Sequence, residues 1–281
     1  MKLSFTKMHG CGNNYIYFNC FDQTVPDPAS LSVRLSEPHF GIGGDGIILI
    51  SPSDKADAQM RIFNADGSEG KMCGNGIRCV GKYLYDNGMT DGRTTITVDT
   101  LSGVKTLELT VEDGNMVSAR VDMGAAILKP ADIPVDMEGD TVIGAPIVVD
   151  EKVYHMTCVS MGNPHCVIFL DEDIDGLDLE RIGPKFEHHA LFPERVNTEF
   201  VNVLPDGTLK MRVWERGSGE TWACGTGACA VGVAAVLTGR AQKGEDITVH
   251  LRGGDLTVRY TDQTVFMTGA ATTVFKGEIE L

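Results

Sequence analysis

The strongest constraint on the fold of this chain is that it repeats itself. Met72-Cys73-Gly74-Asn75-Gly76-Ile77-Arg78-Cys79-Val80-Gly81 returns as Ala223-Cys224-Gly225-Thr226-Gly227-Ala228-Cys229-Ala230-Val231-Gly232, with the leading cysteines 151 positions apart. In each copy a Cys-Gly-polar-Gly turn runs into a helix of small and apolar residues. Arg61 and Arg212, Phe63 and Trp214, and Thr95 to Val98 with Asp246 to Val249 keep the same offset, and Gly12-Asn13 meets Gly162-Asn163 at 150. A duplication of this extent calls for two like domains. The expected boundaries are 1-125, joined by a C-terminal strand 272-281, and 126-271.

Within each half, short strands bounded by turn residues outnumber helices. Leu107, Leu109 and Val111 alternate before the turn Glu112-Asp113-Gly114-Asn115, and Pro28 to Glu37 and Asp178 to Glu187 read as matched short helices. The helix after Cys224 is apolar or tiny all round, the pattern of a helix buried on every side. The fold class is therefore α+β, each domain a curved or barrel-like sheet around one central helix. Pro130, Pro134 and Pro146 punctuate what reads as a linker. Gly41-Ile42-Gly43-Gly44 opens no helix of useful length and is no dinucleotide fingerprint.

The formal charge of −15 disfavours partners recognised through phosphates. MKLSFTKMHG has no apolar signal core, and the longest apolar run, Ala228 to Leu237, is too short to span a bilayer. A soluble, cytoplasmic protein with no membrane or nucleic-acid partner is expected. The eight cysteines fit neither a disulfide scaffold, in so long a chain without an export signal, nor paired zinc ligands, since the spacings are Cys-x5-Cys and Cys-x4-Cys. Most read as small buried apolar residues, Cys79 and Cys229 among them.

Cys73 and Cys224 are different, because each stands just before a helix. A helix N-terminus offers amide hydrogens and the positive end of a dipole, which lower a thiol's pKa and can hold a carboxylate. One thiolate and one thiol on opposite faces of a carbon would remove a proton on one side and deliver one on the other, inverting a stereocentre. For a weakly acidic α-proton the charge must be stabilised in a closed, dry site.

Met-Cys-Gly-Asn-Gly and Ala-Cys-Gly-Thr-Gly-Ala, together with Phe63-Asn64-Ala65-Asp66-Gly67-Ser68-Glu69, Gly162-Asn163-Pro164-His165 and Trp214-Glu215-Arg216-Gly217, resemble the diaminopimelate epimerase family from Phe5 to Leu281. The resemblance implies interconversion of LL- and meso-2,6-diaminopimelate, for lysine and peptidoglycan synthesis, without pyridoxal phosphate or metal. Carried over by motif, it makes Cys73 and Cys224 the acid–base pair and assigns substrate binding to Asn13, Asn64, Gly74, Asn75, Asn163, Asn197, Glu215, Arg216, Gly225 and Thr226. His165 and Glu215 become the neighbours that set thiol protonation. Asn14 departs from an aspartate common there, and Gly46 from a substrate-contacting glutamine. Phe275 stands where some members place a tyrosine at a dimer interface, which makes a homodimer the expected assembly.

Two rival readings remain at this level. One is another cofactor-independent isomerase on the same duplicated fold: a proline or hydroxyproline racemase, or a phenazine-biosynthesis-like isomerase. The other is a thiol redox or small-molecule binding protein, which the absence of a CxxC pair disfavours.

Overall fold

The computed structural model describes residues 1–281. By proximity of its Cα atoms the chain forms two compact units, Met1–Asp122 with Thr268–Leu281, and Met123–Met267. The fold is α+β. No helix is long and apolar enough to cross a membrane.

In the first unit β1 (Lys2–Gly10) and β2 (Asn13–Asn19) form a hairpin. Its tip, Cys11-Gly12, has positive φ at both residues (53° and 80°), the twist a two-residue hairpin needs. Helix α1 (Pro28–Ser36) carries the chain to β3 (Gly46–Ser51), parallel to β2. β4 (Ala58–Asn64) returns antiparallel and turns into β5 (Glu69–Gly70). Helix α2 (Gly74–Asp86) then crosses to β6 (Thr95–Thr100), parallel to β4, and β7 (Gly103–Glu112) and β8 (Asn115–Gly124) complete a meander. α2 packs against β1, β2 and β7. Ile77, Val80 and Leu84, spaced as one helical face, are all buried. At Gly81 the approach is so close that a Cβ would lie 2.9 Å from Leu107 Cδ2.

The second unit runs through β9 (Ala145–Val149), β10 (Lys152–Ser160), β11 (Pro164–Phe169), α3 (Leu179–Glu187), β12 (Asn197–Val203), β13 (Leu209–Glu215), β14 (Gly219–Thr221), α4 (Gly225–Leu237), β15 (Asp246–Leu251), β16 (Gly254–Tyr260) and the first half of β17 (Val265–Ala270), whose second half belongs to the first unit. From β10 onward the pairings repeat those of the first unit, register included. Ile48 faces Ile62 as Glu199 faces Val213, and Ala58 faces Val98 as Leu209 faces Val249. The forked pair Arg61–Glu69 recurs as Arg212–Glu220. Gly232, the counterpart of Gly81, leaves 2.6 Å between an added Cβ and Val258 Cγ1. α4 is buried at every residue from Gly227 to Ala235. The last strand, β18 (Thr272–Glu280), pairs with β1 in the first unit as β9 pairs with β10 in the second.

One expectation needs correction. The stretch with Pro130, Pro134 and Pro146 is more than a linker: Ile133, Val135 and Val142 enter the second unit's core, and Pro146 lies inside β9. In β9 Pro146 stands opposite His155 of β10, and a strand accepts a proline where its missing N–H is not called on.

Candidate active site

Each unit carries a cysteine at a helix start, with its own cluster of candidate residues. In the first, Cys73 is the N-cap of α2, with extended backbone (φ −134°, ψ 117°), and its Sγ accepts the Gly76 amide hydrogen at 3.3 Å. At Gly76 a Cβ would sit 2.7 Å from the end of the Ile48 side chain, Cδ1. Asn13, projected by the hairpin tip, brings Oδ1 to 3.3 Å from Cys73 Sγ. Its amide is held by Asp45, whose Oδ2 accepts from Asn13 Nδ2 at 2.8 Å and from the Asn14 amide at 2.7 Å.

Gly74 and Asn75, the first residues of α2, are buried. Both are tied to Arg78, a fully buried arginine that donates to the Gly74 carbonyl (3.1 Å), Asn75 Oδ1 (3.0 Å) and the Ala270 carbonyl (3.2 Å), and reaches Cys11 Sγ at 3.7 Å. Gly10 leaves it room, since a Cβ there would stand 2.9 Å from Arg78 Nη2. Asn64 ends β4 and donates to Ser68 Oγ at 3.1 Å. Gly46, opposite Asn64 in the β3–β4 ladder, has φ 150°, and a Cβ would lie 2.1 Å from the Phe63 carbonyl oxygen. The backbone itself therefore excludes a glutamine at Gly46.

In the second unit Cys224 is the N-cap of α4, with Gly225 and Thr226 opening the helix. A chain of polar contacts leads to its sulfur. Glu199 Oε1 lies 2.7 Å from His165 Nδ1, His165 Nε2 lies 3.2 Å from Asn163 Oδ1, Asn163 Nδ2 donates to Thr226 Oγ1 at 3.3 Å, and Thr226 Oγ1 is 3.5 Å from Cys224 Sγ. His165 and Glu199 are both 0% exposed. Burial pushes the Cys224 thiol well above its ordinary range; the charges of Glu215 and Glu199 push the same way, and hydrogen bonds from Thr226 and the Gly227 amide oppose them weakly. Glu215 ends β13 and receives the Thr221 hydroxyl at 2.5 Å. Burial raises its carboxyl too, against hydrogen bonds to Thr221 and the Cys224 thiol.

Asn197 is buried and spoken for at both ends: Nδ2 donates to the Pro164 carbonyl at 2.8 Å, and Oδ1 accepts the Arg216 amide at 2.9 Å. It thus joins the Gly162–Pro164 turn to the Glu215–Arg216 turn, with one Nδ2 hydrogen left to offer. Arg216 is half-buried, its Nη1 on the Glu194 carbonyl at 2.9 Å. Phe275 is 45% exposed on β18, its ring edge-on to Phe5.

Ligand atoms of His165, Glu199 and Cys224 come within 4.8 Å of one another, a spacing a metal ion requires. Both imidazole nitrogens already face oxygens at hydrogen-bond distance, which leaves that ring no nitrogen to give.

Three residues of these clusters escape the sequence reading: Asp45, Arg78 and Glu199. For two of them a signal was present. Arg78 interrupts the buried face of a helix, and Glu199 stands directly before the apolar pair Phe200-Val201 of a strand. A charge in such company is rarely buried without purpose. Asp45, in a glycine-rich loop, gives no such sign.

A family model described as diaminopimelate epimerase matches residues 5–129 and 157–274. The chain is 56% identical over 288 residues to diaminopimelate epimerase of Agathobacter rectalis, covering 99% of this chain and 100% of that one. It is 55% identical over 281 residues to the enzyme of the same name from Acetivibrio thermocellus, 99% of each chain. Among solved structures, a phenazine biosynthesis protein of the PhzF family from Bacillus anthracis superposes with a TM-score of 0.73 over 100% of both chains, at 16% identity, a likeness of fold alone. A family match on both repeats and full-length identity above one half place this chain in the diaminopimelate epimerase family.

Proposed function

We propose that this chain is an isomerase that interconverts LL- and meso-2,6-diaminopimelate by moving the α-proton between two cysteines. The observation that carries the reading is the repeated placement of a thiol as the N-cap of a buried helix, at Cys73 and Cys224, in a member of this family. In this reading one sulfur acts on each face of the α-carbon. Cys73 Sγ accepts the Gly76 amide hydrogen and faces Asn13 Oδ1, and it acts as base for one stereoisomer and as acid for the other. Cys224, held protonated by burial and two carboxylates, is suited to begin as the acid.

The helix starts at Gly74–Asn75 and Gly225–Thr226 supply amide hydrogens for the reacting carboxylate and for charge developing at the α-carbon. The Asn13, Asn64, Asn163, Asn197, Glu215 and Arg216 side chains remain for the amino groups and the distal carboxylate, where an arginine provides a forked donor. The exposed apolar residues of β18, Val274 and Phe275, favour a homodimer, which sedimentation would report. The decisive measurement is isotope uptake. In deuterated water without pyridoxal phosphate, added diaminopimelate should gain deuterium at its α-carbon. Labelling of proline instead would favour a racemase, and no labelling of either would end the enzymatic reading.

A further inference from the structure

Asp45 is an exposed residue held from several sides. Its amide donates to the Asn14 carbonyl at 2.8 Å, and its own carbonyl accepts the Ala65 amide at 3.0 Å. Lys7, buried on β1, donates from its ammonium to the Gly43 carbonyl and feels the Asp45 charge, which opposes the lowering of the Lys7 pKa by burial. Gly44, at φ 155°, leaves that ammonium room, since a Cβ there would stand 2.5 Å from Nζ. The repeat shows that the backbone does not demand an acid here: at the equivalent place, 151 positions on, stands Val196, 0% exposed. What the acid holds is the hairpin tip. One oxygen, Oδ2, takes both Asn13 Nδ2 at 2.8 Å and the Asn14 amide at 2.7 Å.

We propose that Asp45 is a positioning residue for Cys73: it fixes the amide of Asn13 so that Oδ1 meets the sulfur, and Cys73 rests as a thiol whose hydrogen points at Asn13. The donors and acceptors can be followed one by one. The Asn14 backbone amide can only donate, which marks Asp45 Oδ2 as an acceptor. A carboxylate oxygen in that role takes the Nδ2 end of Asn13 and not the oxygen end. The end left over is Oδ1, 3.3 Å from Cys73 Sγ. An amide oxygen has no hydrogen to give, so this contact attracts only a sulfur that carries one. A thiol satisfies both of its neighbours: its lone pair receives the Gly76 amide hydrogen and its own hydrogen goes to Oδ1. A thiolate would meet Oδ1 as negative against negative, so the arrangement favours the neutral form. In the second unit the equivalent amide, Asn163, turns to Thr226 and His165 instead. In the reaction proposed above, Asp45 thereby keeps Cys73 loaded with the proton it delivers when it serves as acid.

The titratable and charged groups around Cys73 are Tyr17 on β2, Cys79 and Arg78 on α2, and, beyond Asn13, Asp45 and Lys7. Burial pushes the Tyr17 hydroxyl well above its ordinary range and the Cys79 thiol up to about 11, so neither charges where a thiol ordinarily titrates. Asp45 is exposed, so its field at the sulfur is screened by water, and its hold on Cys73 is one of hydrogen-bond geometry.

The inference rests on Cys73 being a reacting thiol, but its test does not use turnover. The pH midpoint for alkylation of Cys73 by iodoacetamide is measured on the full chain without substrate, each cysteine resolved by peptide mass spectrometry. Asp45→Ala should lower the midpoint by about one pH unit, because the amide is released and can turn Nδ2–H toward the sulfur. Asp45→Asn should leave it near the wild-type value, since an asparagine oxygen can accept from the same two donors without the charge. In an Asn13→Ala background Asp45→Ala should have no effect. Equal shifts in Asp45→Ala and Asp45→Asn would overturn the proposal by assigning the effect to charge. No shift in Asp45→Ala, or the same shift with the Asn13 amide removed, would overturn it as well. Should Asp45→Ala not fold, the infrared S–H stretch of the unaltered protein at neutral pH decides the matter. A band that is missing from Cys73→Ala and lowered in frequency by donation to oxygen supports the held thiol; the absence of such a band ends it. Full epimerisation by Cys73→Ala would instead refute the two-thiol reading and leave these measurements intact.

Discussion

The two cysteine-capped helix starts share a backbone and differ in the sign of the charge buried around them. Around Cys73 the repeat places Tyr15, Ile48 and Asn64, and one turn into α2 a buried guanidinium, Arg78, grips the two residues that follow the cysteine. At the equivalent places around Cys224 stand His165, Glu199 and Glu215, and Cys229 replaces the arginine. The buried charge at the first helix start is thus a cation tied to Gly74 and Asn75, and at the second it is carboxyl beside the sulfur. Duplication supplies the matching geometry, and a few substitutions on unchanged strands supply the difference in charge.

The largest effect should come from removing either member of the pair. Cys73→Ala and Cys224→Ala should each lower epimerisation about a thousandfold or more, followed by circular dichroism of the product. Activity surviving in one of them would break the equivalence of the two halves. Arg78→Met tests the cation of the first unit. It strips donors from the Gly74 and Ala270 carbonyls and from Asn75, and should cost about 3 kcal/mol in urea unfolding, whereas Cys229→Ala at the matching place should cost about 1 kcal/mol. Comparable losses would mean the guanidinium is no more than packing.

The helix-start glycines offer a finer test. Gly227→Ala pushes a methyl against a buried carboxylate oxygen at 2.6 Å, while Gly76→Ala meets the mobile end of Ile48 at 2.7 Å. The first should destabilise by about 2 kcal/mol and the second by about half as much, by thermal unfolding. The smallest effect is a pH trend. Burial raises the Glu215 carboxyl, so the folded chain binds that proton more tightly than the unfolded one. The stability it contributes is present below the unfolded pKa and lost as pH rises through the folded pKa. Glu215→Gln removes this titration, and its Tm should gain on the wild type as pH rises above the ordinary carboxylate range. A constant difference across that range would place Glu215 in an unstrained setting.

Much of this architecture was legible in the chain. The Cys-Gly-polar-Gly turns, the apolar helix after Cys224 and the strand-rich halves are local patterns, and each element formed where its turn residues and periodicity placed it. The prolines between the halves misled, because a proline reads as a break until a strand is seen to accept it, as β9 accepts Pro146. The candidate residues could be named by motif, but not their partners: nothing near Glu199 in the sequence points to His165, 34 positions away.

The sequence by itself determined the repeat, the α+β class and the two capping cysteines, because turn chemistry and hydrophobic period act over a few residues. Tertiary structure alone decided which charge each thiol meets. The parallel pairing of β11 with β12 sets Glu199 against His165, and the depth of α2 leaves Arg78 no water to point toward. Strand register and burial are properties of the assembled sheet, and electrostatics inside a protein follows from them.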